Sequence, residues 1–277
     1  MRTDIAALLD RYSGCLLDAY GVLVDGRGAL PGAAALIERL NSEQRPWMVL
    51  TNDASRLPEG CAAHYRSVGL DIPDDRVLTS GTLLEGWFSA RGLEGAETLV
   101  LGPADTQSYV ARAGGLPRHP AEAEDPAVIV AGDTAGFPFL EGLNQALTKG
   151  LARLERSLPL HLAVPNPDLL YPVRSGERDR PGEFGLAAGS MASVLEEAFT
   201  RRFPEAPRFE PLGKPEPHIF AAARARLGTD DLVMVGDQRA TDIAGAKAAG
   251  LDAALVTSGV SGLNGHPQPT WVLEGLS

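Results

Sequence analysis

An open parallel α/β fold, with a second α/β domain inserted into it, is predicted by three observations. Short, wholly apolar runs alternate with segments of helical periodicity along nearly the whole chain. The first of those segments fits between two apolar runs, as a strand-helix-strand unit requires, and such a unit sets its two strands parallel. Several of the apolar runs end in polar tips, and ligands of an open parallel sheet gather beyond the carboxyl ends of its strands.

The first run, Cys15-Leu16-Leu17, ends at Asp18 and continues through Ala19-Tyr20-Gly21-Val22-Leu23 to a turn at Asp25-Gly26. This is how a buried strand delivers a carboxylate to its edge. Pro31-Gly32 opens a helix to about residue 42, with Ala34, Leu36, Ile37 and Leu40 on one face. Residues 46–50 form a second buried strand, tipped by Thr51-Asn52-Asp53-Ala54-Ser55-Arg56. A helix over 57–68, a strand over 76–78 and a helix over 81–90 continue the alternation. From about Gly95, strands are expected at 98–101, 127–131 and 160–163, with helices at 106–113 and 139–154. The Pro-rich and charged pieces 116–126 and 173–182 are expected as surface loops. A helix over 189–200 and a bridge over 203–211 lead to Gly213-Lys214-Pro215. The chain then gives a helix over 217–227 and a strand over 232–235 tipped by Gly236-Asp237-Gln238-Arg239-Ala240-Thr241-Asp242. A helix over 243–249, closed by Gly250, and a strand over 253–256 complete the reading.

Composition narrows the function classes. The 277 residues are 44% hydrophobic, enough to fill a core. A net charge of -11 without a basic cluster argues against nucleic acid or an anionic membrane surface as partner. No apolar run approaches the roughly 20 residues of a membrane helix. The first residues, with Arg2, Asp4 and Asp10 about a short apolar stretch, are unlike a signal peptide. A cytoplasmic location is expected. Cys15 and Cys61 fall in an expected strand and helix and read as two reduced, buried thiols, not a disulfide. Lysine occurs only at 149, 214 and 247, so a lysine beside a motif stands out.

Asp18, Thr51, Lys214, Asp237 and Asp242 make one chemically coherent set. Carboxylates on two strand tips form a hard-oxygen cage suited to Mg²⁺. A hydroxyl and an ammonium suit the oxygens of a phosphoryl group, whose transfer is mostly positioning and charge neutralisation. Other chemistries lack support. Ser55, Ser80 and Ser190 have no Gly-x-Ser-x-Gly context, and no Gly-x-Gly-x-x-Gly or P-loop motif occurs. The histidines are scattered singly, and His218 reads as a first-turn residue of a helix.

These motifs resemble those of the haloacid dehalogenase (HAD) superfamily, in its class IIA branch of NagD-type, p-nitrophenyl phosphatase-like and pyridoxal phosphatase-like enzymes. Asp18-Ala19-Tyr20-Gly21-Val22-Leu23 resembles the first motif, Thr51 to Arg56 the second, Gly213-Lys214-Pro215 the third, and Gly236-Asp237 through Thr241-Asp242 the fourth. The resemblance implies a Rossmann-like HAD core over 1–94 and 209–277, with a C2-type α/β cap over 95–208. The interval from Thr51 to Lys214 alone has room for it. It further implies that Asp18 is the nucleophile forming an aspartyl-phosphate, that Thr51, Asn52 and Asp53 hold the phosphoryl group, and that Lys214 neutralises charge. Asp18, the main-chain oxygen of Tyr20, Asp237 and Asp242 would hold Mg²⁺. Pro165-Asn166-Pro167-Asp168, through Pro172, resembles the branch's Asn-x-Asp-x-x-x-Pro segment; Asn166 and Asp168 either line the substrate or simply make a turn. A homodimer through the cap is implied as well.

One position departs from the pattern. The branch's phosphatases carry an acid–base Asp two residues after the nucleophile, and here that residue is Tyr20. A positioned acid–base group is worth roughly 10²–10⁴ in rate, and phenols, ionising near about 10, match water activation poorly. Asp-x-Tyr-Gly is the form of true 2-haloacid dehalogenases. Those need no metal and carry their cap between the first and second motifs, whereas this chain keeps both Asp237 and Asp242. The expected function is a Mg²⁺-dependent phosphatase-like hydrolase of a small phosphomonoester, slowed by Tyr20, with the acid–base role falling either to the Tyr20 phenol or to another group such as Asp53 or a substrate-held water. The alternatives are a pseudoenzyme that binds a phosphorylated metabolite and, behind it, a dehalogenase. Small sugar phosphates, pyridoxal phosphate, nucleotide monophosphates and aryl phosphates all fit as substrates.

Overall fold

The computed structural model describes residues 1–174, 183–257 and 265–276. The chain folds into two compact units. One comprises Met1–Thr51, Pro58–Leu78 and Lys214–Ser277; the other comprises Asn52–Leu57 and Thr79–Gly213.

Among the described residues of the first unit, the sheet runs in the order Trp271–Leu273, Asp252–Val256, Leu232–Gly236, Gly14–Leu17, Trp47–Thr51 and Val77–Thr79. Gly14–Leu17 is the inner strand of this order and pairs in parallel on both sides, with Leu17 opposite Val235 and opposite Val49. Its four residues are all buried, as a parallel strand covered on both faces demands. The order of β and α elements expected from the sequence therefore gives the expected sheet. Helix Ala33–Ser42 turns Leu36, Ile37 and Leu40 inward, and these join Leu17, Val49, Val235 and Leu273 in one core. Cys15 and Cys61 are buried and unlinked, and burial pushes the Cys15 thiol up to about 12.

Several elements of this unit differ from the sequence reading. Residues Ile5–Arg11 form a helix whose Asp4 accepts a hydrogen bond from the Ala7 N–H at 2.8 Å. Trp271–Leu273 adds an edge strand, and the first residues pair back onto it, with Val272 N–H donating to Met1 O and Thr3 N–H to Val272 O. Arg239–Ile243, expected as strand tip and helix start, is a π-helical turn leading into helix Ala244–Ala248.

The second unit carries its own parallel sheet in the order Glu210–Pro211, His161–Val164, Val128–Ala131, Glu97–Leu101 and Leu116–Arg118. Helices Phe139–Glu155 and Ala188–Arg202 bury Leu143, Ala146, Leu195 and Phe199 against Leu99, Ile129 and Leu162. A second cluster, beginning with Leu84, Trp87 and Phe88 of helix Leu84–Ser89, packs with Val100, Val110 and Val130. That packing carries the unit back to Thr79, ahead of the Gly95 expected from the sequence, and Asn52–Leu57 belongs to it too.

Two expected loops contain strands. Leu116–Arg118 pairs with Glu97–Leu101 despite Pro117, because an edge strand tolerates a residue that donates no hydrogen bond. Residues 173 and 174 belong to strand Leu170–Arg174, which pairs antiparallel with Glu183–Leu186; the rest of that expected loop, 175–182, lies outside the described residues. Among the described residues no helix is long and apolar enough to cross a membrane.

Candidate active site

The first unit gathers four of the predicted side chains at the carboxyl ends of two neighbouring strands. Asp18 follows Gly14–Leu17, and its N–H donates to Val235 O at 2.9 Å, so the pairing of the strands continues one residue past the strand end. Asp237 follows Leu232–Gly236. Lys214, 2% exposed, donates to Asp18 Oδ1 and to Asp242 Oδ1, each at 2.7 Å. Asp242 turns its other oxygen to the main chain, where Oδ2 accepts the N–H groups of Asp237 at 3.1 Å and Gln238 at 3.0 Å. The π-helical turn Arg239–Ile243 places Asp242 for this return contact. A wider helical turn at a binding site is a common device.

Burial raises the Asp18 carboxyl well above the usual carboxylate range, the Asp242 charge adds to the rise, and Lys214 pulls the other way. Burial works against the Lys214 ammonium, but the Asp18 and Asp242 carboxylates outweigh it and hold the group above the usual lysine range. Two buried carboxylates, Asp18 and Asp242, therefore share one ammonium.

The ligand oxygens that Asp18, Asp237 and Asp242 offer all lie within 4.8 Å of one another. Three carboxylates so placed offer hard oxygen donors, which fit a divalent cation such as Mg²⁺. The close approach of the main chain fits as well. Gly21 adopts φ +86°, and a Cβ there would stand 2.3 Å from Asp237 Oδ2. A Cβ on Gly236 would stand 2.2 Å from Asp242 Cβ. Only glycine leaves the carboxylates where they are.

Tyr20 is 40% exposed, while its neighbour Ala19 is fully buried. Gly21 N–H donates to Val24 O at 2.8 Å, folding the chain back immediately after Tyr20. Thr51 ends strand Trp47–Thr51 and is buried.

The remaining predicted residues fall in the second unit. Asn52 Nδ2 donates to Asp168 Oδ1 at 3.3 Å, and a Cβ on Gly213 would stand 2.4 Å from Asn52 Oδ1, so both ends of the Asn52 amide are confined. Asn166 Oδ1 accepts the Asp168 N–H at 3.1 Å. Asn166 is thus the turn-former of its segment, and Asp168 is the residue that reaches Asn52. Asp53 Oδ1 accepts from Ser55 N–H and Ser55 Oγ, both at 2.7 Å, and from Arg56 N–H at 3.2 Å. Its carboxylate shapes the loop in the manner of an Asx turn. Nothing in the sequence marks Ser80, Thr106 and Tyr109, whose hydroxyls also hold this loop. Isolated hydroxyl residues carry no spacing signal; only the tertiary fold brings them to one backbone segment.

A haloacid dehalogenase-like hydrolase model matches residues 15–115, and a HAD-hydrolase-like model matches residues 211–277. Dihydroxyacetone phosphatase of Corynebacterium glutamicum is 29% identical, over 95% of this chain and 88% of that protein. A possible sugar phosphatase of the HAD superfamily from Cytophaga hutchinsonii superposes with a TM-score of 0.82 at 27% identity, covering 100% of this chain and 98% of that one. Glycerol phosphate phosphatase Rv1692 from Mycobacterium tuberculosis, solved in complex with calcium, gives a TM-score of 0.79 at 26% identity, covering 97% and 75%. The two matched stretches hold Asp18, Thr51, Lys214, Asp237 and Asp242, and the chain belongs to the haloacid dehalogenase-like hydrolases.

Proposed function

We propose that the chain is a Mg²⁺-dependent phosphatase of small sugar or triose phosphates that works through an aspartyl-phosphate at Asp18. The observation that carries the reading is Lys214, buried and hydrogen-bonded at 2.7 Å to both Asp18 and Asp242 within a three-carboxylate cluster. Relatives named dihydroxyacetone phosphatase, possible sugar phosphatase and glycerol phosphate phosphatase support a small hydroxylated carbon compound as the alcohol.

In this reading an Asp18 oxygen bonds to phosphorus while the bond from phosphorus to the substrate alcohol breaks. The departing oxygen takes a proton. Water then attacks phosphorus and gives its proton to the Tyr20 phenolate, the bond to Asp18 breaks, and inorganic phosphate leaves with the Asp18 carboxylate and the Tyr20 phenol restored. Lys214 offsets charge on Asp18 and on the incoming phosphoryl group, a preorganised contribution that costs no rearrangement during the reaction. Thr51 and Asn52 take phosphoryl oxygens, and Asp168 fixes the Asn52 amide for that task. Asp18, Asp237, Asp242 and the main-chain oxygen of Tyr20 would hold Mg²⁺, which supplies charge neutralisation at the phosphoryl oxygens when bound. Tyr20 occupies the acid–base position, and its phenol O–H is the proton source there. The protein is a slow phosphatase for that reason.

The test is Mg²⁺-dependent phosphate release from dihydroxyacetone phosphate, glycerol phosphate, hexose phosphates and pyridoxal phosphate. The native chain is compared with Asp18→Asn and Tyr20→Asp. Asp18→Asn is expected to lose on the order of 10⁴ or more in kcat, as for removal of a nucleophile, and Tyr20→Asp to gain roughly 10²-fold. Native release no faster than Asp18→Asn, with tight retention of one phosphorylated metabolite, establishes the pseudoenzyme instead. Halide release from a 2-haloacid without any cation establishes the dehalogenase.

A further inference from the structure

The loop Asn52–Leu57 is gripped along its main chain by side chains of the second unit. Ser80 Oγ donates to Asn52 O at 2.9 Å and stands 3.4 Å from Asp53 O. Thr106 Oγ1 donates to Ala54 O at 2.8 Å. Tyr109 OH donates to Arg56 O at 2.6 Å, and Asp105 Oδ2 accepts the Leu57 N–H at 3.0 Å. Ser80 and Thr106 are fully buried and Tyr109 nearly so.

The hydroxyl protons have one consistent order. Arg56 O only accepts, so the Tyr109 proton points there. Thr79 Oγ1, 2.6 Å from Tyr109 OH, must then donate to it, and Thr82 Oγ1, 2.9 Å from Thr79 Oγ1, donates in turn. A directed chain of three hydroxyls thus ends on one loop carbonyl, and such chains strengthen one another in a low-dielectric interior.

Glycines make room for the grip. A Cβ on Gly102 or Gly132 would stand 2.5 or 2.3 Å from Thr106, and a Cβ on Gly81 would stand 2.5 Å from the Tyr109 ring. Connecting loops ordinarily leave their backbone to water; here the carbonyls of Asn52, Ala54 and Arg56 each accept from a buried hydroxyl.

We propose that Ser80, Thr106 and Tyr109 are positioning residues that preset the Asn52 amide for a phosphoryl oxygen. The proposal rests on the phosphatase reading above. A loop ordered before the ligand arrives loses less conformational freedom on binding, so the grip acts on affinity for phosphate.

The test takes inorganic phosphate as probe, with Mg²⁺ present, measured by calorimetry and as an inhibitor of phosphomonoester hydrolysis. Tyr109→Phe and Thr106→Val are each expected to raise the inhibition constant and the KM roughly three- to tenfold, the range for one buried hydrogen bond. Thr106→Ser keeps the donor and is expected to restore native values. Amide exchange in 52–57 is expected to quicken in the first two variants. Native inhibition constants and KM in Tyr109→Phe and Thr106→Val overturn the proposal, whatever happens to Tm, because they show the grip to be structural only. Should the native protein neither bind phosphate nor hydrolyse any ester, the phosphatase reading fails before a variant is made, and this proposal falls with it.

Discussion

The two parallel sheets are built alike and end differently. In the first, the carboxyl edge sends Asp18 and Asp242 to one buried ammonium and sets Asp237 beside them, with glycines at 21 and 236 so that the main chain closes in. In the second, the corresponding edge carries Gly102, Gly132 and the turn of Asn166, and its acids are spent on backbone: Asp133 Oδ1 accepts the Ala135 N–H at 2.8 Å. One edge concentrates carboxylates about a single lysine; the other satisfies its polar groups locally and grips a loop. Architecture is shared, and chemistry resides in which side chains the tips present.

The largest effect separating the two edges is expected at Lys214. Lys214→Met removes the ammonium from between Asp18 and Asp242 and leaves two buried carboxylates facing each other. Removing one member of a buried ionic cluster costs about 3–5 kcal/mol, to be read from urea unfolding without added cation. The counterpart in the second unit, Asp168→Ala, loses a partly buried 3.3 Å hydrogen bond to Asn52, a bond expected to be worth about 1 kcal/mol. Equal losses in the two variants would erase the distinction drawn between the edges.

Next in size is Gly21→Ala. The left-handed backbone costs a non-glycine residue about 1–2 kcal/mol, and the added methyl meets Asp237 Oδ2 at 2.3 Å. The native protein is expected to gain Tm on adding Mg²⁺ and lose it again with a chelator, since a ligand of the folded state alone adds about 2.7 kcal/mol at 100 times its Kd. Gly21→Ala is expected to shed most of that gain. An undiminished Mg²⁺ response would mean that Asp237 does not help hold the cation.

How much of this was legible in the residues differs between the edges for the same reason. Asp18, Lys214, Asp237 and Asp242 sit in short motifs whose order and spacing made their meeting legible, and Asp18 and Asp237 directly follow wholly buried strands. The helix Ile5–Arg11 and the strand Trp271–Leu273 were not legible, being seven and three residues long; tertiary pairing of the first residues with Val272, not local periodicity, creates that edge. Pro117 reads as a loop residue until an edge partner makes its missing donor harmless. In the Asn166 segment, whose residues are also ordinary turn residues, Asn166 accepts the Asp168 N–H and Asp168 contacts Asn52. Ser80, Thr106 and Tyr109 were invisible because a hydroxyl that holds a distant backbone has no neighbour in sequence to mark it. The second unit's start at Thr79 follows likewise from packing of Leu84, Trp87 and Phe88 that no boundary composition announces.

The smallest effect is a pH dependence at the second edge. Burial raises the Asp133 carboxyl above the usual range, with the Asp53 charge adding to the rise and the Ala135 N–H and Arg56 opposing it. A carboxyl raised in the folded state favours folding while protonated. Its contribution is therefore full below the unfolded value, about 3.9, and is lost as pH rises through the folded value. Asn at this position keeps the acceptor for Ala135 and carries no charge. Asp133→Asn is expected to match the native protein near pH 4 and to exceed it in Tm at pH 7, by less than about 1 kcal/mol once solvent screening is allowed for. The opposite order, with native Asp133 the more stable at pH 7, would show the Arg56 attraction to outweigh burial. The second edge would then be organised around an ion pair, and its contrast with the first would narrow to the number of charges each one gathers.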